Sequence, residues 1–228
     1  MKKTLLVIGA ACAFLAACAP NGTAPAKPLT PEGLAPAPAG DYKLDKSHAS
    51  IVFSVDHIGF SHWTARFSRF DAALHFDPQE PAGSHIEASV DPASIDPDNP
   101  PDGFIDMLTG EKFLDAGNYP AMTFKSTRVE LTGPNTAKVT GDFTLHGRTH
   151  PLVLDVVFNG GYARHPLDPE SRIGFSAHGA LDRSDYGMDF GLPPPGSTMG
   201  VSDKVDIAIE VEFVGPPGED PQADRKDQ

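Results

Sequence analysis

Residues 137–158, AKVTGDFTLHGRTHPLVLDVVF, constrain this chain more than any other stretch. Ala137, Val139, Gly141, Phe143 and Leu145 alternate with Lys138, Thr140, Asp142 and Thr144, the period of two that belongs to a half-buried strand. After the polar run from His146 to His150 the alternation resumes, with Leu152, Leu154, Val156 and Phe158 on one face. Two such runs around a Gly-containing turn predict a β-hairpin. Val153 and Val157 make the return strand greasy on its second face too, which predicts a central position with other strands covering it.

The same alternation recurs along the chain. Ile51, Phe53, Val55 and His57 share a face, and so do Phe70, Ala72, Leu74 and Phe76. Phe67 is out of phase with the latter set, so a β-bulge is expected near Ser68. Ile86, Ala88 and Val90 mark another strand; residues 121–131 mark a further one whose phase breaks near Thr127. Ile173, Phe175, Ala177 and Leu181 precede a last strand in which Val205, Ile207, Ile209, Val211 and Phe213 alternate with polar residues. Between Asp91 and Pro120 the period changes; there Asn99-Pro100-Pro101 introduces Phe104, Met107 and Leu108 as a short helical insertion around residues 100–116, and Phe113 and Leu114 are expected to form a flap. The expected fold is all-β, an eight-stranded antiparallel barrel or a sandwich, and closure into a barrel removes the exposed edges.

The N-terminus reads as targeting sequence. Lys2 and Lys3 precede a short apolar run that ends in Leu15-Ala16-Ala17-Cys18, which resembles the lipobox of bacterial lipoproteins. Residues 1–17 are then a signal peptide and Cys18 the lipidated residue, an N-terminal lipid anchor in the membrane; Ala19 after it favours the outer membrane, with the protein facing the periplasm. Residues 18–40, rich in Pro and Ala, read as a tether reaching about 70 Å at about 3.1 Å per residue. Residues 41–215 form the folded domain and 216–228 a polar, disordered tail. Cys12 and Cys18 both precede the domain, so no disulfide staples it. A net charge of −13 argues against nucleic acid as a partner.

Five stretches in order resemble the YceI-like family of periplasmic polyisoprenoid-binding proteins: DKSHASIVFSVDH (45–57), KFLDAGNYPAMTFKS (112–126), GDFTLHGRTHPLVL (141–154), GFSAHGALDRSDYGM (174–188) and residues 201–212. The resemblance implies a lipocalin-like barrel whose lumen takes an isoprenoid lipid or quinone as bound ligand, with no covalent cofactor and no covalent chemistry. Residues expected to line that lumen are Phe53, Phe67, Phe113, Leu114, Phe124, Phe143, Phe175, Ala177, Ile207 and Ile209; His57, Trp63, Arg183 and Tyr186 are expected at the rim or headgroup. Small inward residues, Ala72, Ala88, Gly141, Ala177 and Gly179, favour a hollow over a filled core. Ala65, His150 and Asp182 depart from the family pattern, at bends and rims.

Other chemistries find less support. His146 and His150 are four apart on a turn and not on a helix, so no zinc face is expected, and no metal site is assigned. Gly174-Phe175-Ser176-Ala177-His178-Gly179 has the wrong spacing for a nucleophile elbow and lies in a strand, so no catalytic residue is expected and the protein is not read as an enzyme. A filled barrel with a structural or stress-protective role stays open as the alternative, and the oligomeric state is undetermined by sequence.

Overall fold

The computed structural model describes residues 29–218. The lipidation at Cys18, the signal peptide and residues 219–228 of the expected tail lie outside the described residues. Within them ten strands form one antiparallel sheet: β1 (Gly40–His57), β2 (Ser61–Phe67), β3 (Phe70–Phe76), β4 (His85–Val90), β5 (Ile95–Pro97), β6 (Met122–Gly133), β7 (Thr136–Leu145), β8 (Arg148–Tyr162), β9 (Glu170–Asp182) and β10 (Val201–Pro217). One helix, α1 (Phe104–Thr109), crosses one end, and this is called the helical end below.

The sheet closes because β1 pairs with β10, from Lys43 opposite Val214 to His57 opposite Val201. β1 also pairs with β3 through residues 40–43 and with β2 through residues 51–57, so β2 and β3 are one stave broken at Ser68-Arg69. β4 and β5 pair with β3 and β2 in turn and form a second broken stave. Counted by staves, this is an eight-stranded antiparallel barrel. The two breaks satisfy each other: Ser68 N donates to Ser94 O at 3.0 Å, Arg69 N to Ser94 Oγ at 3.0 Å, and Asp91 N to Arg69 O at 3.0 Å. The expected bulge near Ser68 is thus present, and so is the phase break near Thr127, where the β6–β7 register shifts between Ser126 and Arg128.

Three local expectations are corrected. The β7–β8 connection is a two-residue turn, His146 (φ 51°) and Gly147 (φ 72°), since Leu145 pairs directly with Arg148. Positive φ at both positions matches the twist of the flanking strands. Val153 is exposed, because a closed barrel has no layer outside β8. Helix α1 is entered through Gly103, which is left-handed at φ 76°, and not through the Asn99-Pro100-Pro101 segment. One feature had no sequence signal: residues 45–48 of β1 loop out opposite the single residue Glu212 of β10. Residues 29–39, the described part of the expected tether, lie against the barrel, with Gly161 N bonded to Leu29 O at 2.7 Å and Ala163 N to Ala35 O at 2.8 Å.

Fully buried apolar side chains gather in two separate places. One cluster, with Phe67, Ile95, Leu108, Met122, Leu145, Tyr186 and Met188, fills the helical end; the other, with Tyr42, Leu44, Leu74, Phe76, Ile173 and Phe213, fills the opposite end. Inward side chains of the middle, such as Ile51, Phe53, Ile207 and Ile209, are only partly buried. They face a hollow.

Candidate functional site: the apolar lumen

The alternation that makes each strand half-buried also builds the cavity wall. Inward residues of all ten strands enclose a cavity of about 830 Å³, lined almost wholly by apolar side chains. That volume is in the range of small-molecule sites, roughly 300–1,000 Å³. All ten residues expected to line the lumen border it: Phe53, Phe67, Phe113, Leu114, Phe124, Phe143, Phe175, Ala177, Ile207 and Ile209. Its wall at the helical end is aromatic, with Phe53 stacked on Phe67 at 5.4 Å between centroids and Trp63 edge-on to Phe53 at 5.9 Å and to Phe104 at 5.7 Å. A wall of this kind offers dispersion and desolvation to an apolar chain.

Small residues divide into two kinds. Ala72, Ala88 and Ala177 border the cavity and leave it room. Gly141 and Gly179 do not, because the Phe124 ring covers the former and the Leu154 side chain the latter. Their smallness serves close packing across the strands.

The four residues expected at the rim separate. His57 is exposed and borders the cavity at the helical end, while Trp63 is half-buried and belongs to the wall. Arg183 also borders the cavity but is buried, and its donors are spent on main chain: Nε to Ser202 O at 2.9 Å, Nη1 to Met188 O at 2.6 Å and Phe190 O at 2.9 Å, and Nη2 to Val201 O at 3.0 Å. Burial lowers its pKa from the usual arginine value, opposed by the charges of Asp203 and Asp189. The guanidinium therefore clasps the loop between β9 and β10 and is not free for a headgroup. Tyr186 is buried outside the cavity, edge-on to Phe143 at 5.7 Å and to His150 at 5.1 Å, and burial raises its pKa.

His146 and His150 engage separate partners. His146 donates from Nδ1 to Tyr186 O at 3.0 Å, its Nε2 is buried without a partner among the described residues, and His150 packs on the Tyr186 ring. His57 pairs across the turn with Ser61, and His62 with Asp56. Sequence reasoning missed a polar cluster on the outer wall, created by the looped-out residues 45–48. Asp45, His48 and Glu212 bring ligand atoms within 4.8 Å of one another. Arg172 already occupies this cluster, donating to Asp45 at 2.5 Å and to Asp168 at 2.6 Å with Glu212 3.5 Å away, so the cluster is an ion-pair network that pins the bulge to β9. Its partners hold Arg172 above its usual pKa, and the Ser47 hydroxyl, Arg172 and His48 hold Asp45 well below the carboxylate range.

Comparison with known proteins agrees with the geometry. The profile of the YceI-like domain matches residues 42–213. A UPF0312 protein of Vibrio cholerae is 33% identical over 216 residues, covering 94% of this chain and 99% of its own, and one of Pseudomonas savastanoi is 36% identical over 176 residues, covering 75% and 86%. The barrel is similar to the Campylobacter jejuni YCEI protein (TM-score 0.59, 28% identity, 70% of this chain and 88% of that one). It also shares its fold with a polyisoprenoid binding domain from Saccharophagus degradans (TM-score 0.57, 14% identity, 77% and 98%). By the match of its barrel and of nearly all the strands that build it, the chain belongs to the YceI-like family.

Proposed function

We propose that this protein binds and carries, without catalysis, a long-chain isoprenoid or similar amphiphile in the bacterial periplasm, held to the outer membrane through a lipidated Cys18. The observation that carries the reading is the hollow itself: about 830 Å³ of apolar space between two packed ends, where a barrel of this size could have been filled by side chains. Burying some ten methylene groups of a prenyl chain contributes about 8 kcal/mol before ordering costs, so micromolar binding needs no special polar contact. The similar barrel that carries the name of a polyisoprenoid binding domain supports this ligand class.

Native mass spectrometry of the protein extracted in mild detergent tests the proposal. A co-purifying lipid of prenyl character is the expected result. A clean apo mass from freshly extracted protein that also fails to take up added prenyl lipid would favour the filled, structural role, and stoichiometric zinc would redirect attention to the Asp45–His48–Glu212 cluster.

A further inference from the structure

We propose that the helical end of the barrel is a docking surface for a lipid bilayer with uncharged or zwitterionic headgroups, and that ligand enters there; this rests on the carrier reading above. Met107 and Phe190 border the cavity and are also 40% and 46% exposed, so the lumen reaches solvent between α1 and the loop before β10. Beside that mouth stand Phe60, 86% exposed, and Met199, 70% exposed, neither of which borders the cavity. The three loop residues are held together by main chain, with Ile58 N bonded to Gly200 O and Val201 N to Gly191 O, both at 2.9 Å. Large apolar side chains placed singly on a surface need no explanation; four around the mouth of an apolar lumen form an interaction site.

Two further observations choose the occupant. A prenyl chain is insoluble, so its transfer needs the lumen to be continuous with an apolar phase, and a bilayer supplies one where these side chains insert. Charge chooses the kind of bilayer: Asp102, Asp106, Glu111, Asp185 and Asp189 are exposed around this end, Lys112 lies over the Phe190 ring at 4.6 Å, and the whole chain carries −13, which repels anionic headgroups. At the opposite end residues 29–39 pack against the barrel and Leu29 borders the cavity, so the chain itself covers part of that end, where Leu131, 52% exposed, also borders the cavity.

Two measurements on the full chain test this, with the same N-terminus in every variant. In brominated phosphatidylcholine vesicles, the indole introduced by Phe60→Trp should be quenched and that introduced by Leu167→Trp, at the far end, should not. In plain phosphatidylcholine vesicles loaded with a long-chain prenylated benzoquinone, quenching of Trp63, the one native tryptophan, reads uptake. The double variant Phe60→Ser/Met199→Ser should slow that uptake about tenfold while leaving binding of quinone from detergent unchanged. Quenching at residue 167 and not at 60, uptake as fast in the double variant as in the wild type, or a wild-type dimer that the double variant dissociates would each overturn the proposal; the last would make the patch a self-interface. Quenching at residue 60 with no quinone uptake by the wild type would remove the carrier reading and leave the docking surface standing.

Discussion

The ring of Phe124 lies across Gly141 on the neighbouring strand, so closely that a β-carbon at residue 141 would overlap the ring and sit 2.7 Å from the Lys125 carbonyl oxygen. Phe124 pairs with Phe143 and Gly141 with Ser126, so the aromatic ring reaches diagonally over the only neighbour without a side chain. Gly141→Ala should therefore destabilise the barrel by about 2 kcal/mol, since main chain as well as ring must give way. Urea unfolding checks it, with an unchanged m-value expected; a variant as stable as the wild type would show that β6 and β7 can separate freely.

Ala177 has the opposite role. It borders the cavity on β9, flanked by Ile209 of β10 and Val156 of β8, which also border it. Ala177→Phe should fill part of the hollow, cost at most about 2 kcal/mol of stability, and reduce prenyl-lipid binding at least tenfold. Titration in detergent followed by Trp63 fluorescence measures this. Full binding by a cooperatively folded variant would place the ligand elsewhere.

How much of this could be read beforehand depended on whether a residue's role leaves a trace in hydrophobic phase. The strands other than the three-residue β5, the breaks near Ser68 and Thr127, and all ten wall residues were legible, because a barrel stave with one wet face must alternate and a bulge must shift the alternation, whereas Ile95–Pro97 is too short to show a period. The loop-out of residues 45–48 was not, since Asp-Lys-Ser-His has no apolar residue whose phase could be followed. Nor was the tight turn at His146, where a non-glycine residue takes a positive φ. That Arg183 clasps a loop at the rim was illegible for a different reason: its partners are carbonyl oxygens, which any sequence supplies. The glycines were ambiguous in kind, because a missing side chain means a hollow only if no neighbour fills it.

Arg183 holds the loop between β9 and β10 through four carbonyls, and the planar fork is what lets one side chain reach them all. Arg183→Lys, with three donors for four acceptors and no planar fork, should leave at least one of those acceptors unpaired and cost about 2 kcal/mol. Limited proteolysis should then cut within residues 187–200 while the rest of the barrel stays resistant. Resistance equal to the wild type would mean that the loop is held by Ser184 and its bonds to Asp203 instead.

Acid sensitivity should trace to the Arg172 network. Arg172 holds Asp168 below its usual pKa, and it joins Ser47 and His48 in doing the same to Asp45; the side chains of Arg172, Asp168 and Asp45 are 25%, 22% and 14% exposed. A carboxyl whose folded-state pKa is depressed adds stability that is complete above its unfolded pKa of about 3.9 and is lost as the pH falls from there toward the folded value. The wild type should thus hold its stability from neutral pH down to about 5 and lose it steeply below about 4. His48 acts in the other direction: Asp45 and Glu212 raise its pKa, so its small contribution is complete below about 6.5 and fades as the pH rises through the raised value. Arg172→Gln should cost about 2 kcal/mol at pH 7, where it leaves the acidic groups facing one another, and progressively less as the pH falls below about 4, because the unfolded chain then takes up protons that the folded wild-type carboxyls, held at depressed pKa by Arg172, do not. Thermal unfolding of both proteins across this range makes the comparison, and a gap between them that stays constant down to pH 3 would show that Arg172 acts through packing and not through charge.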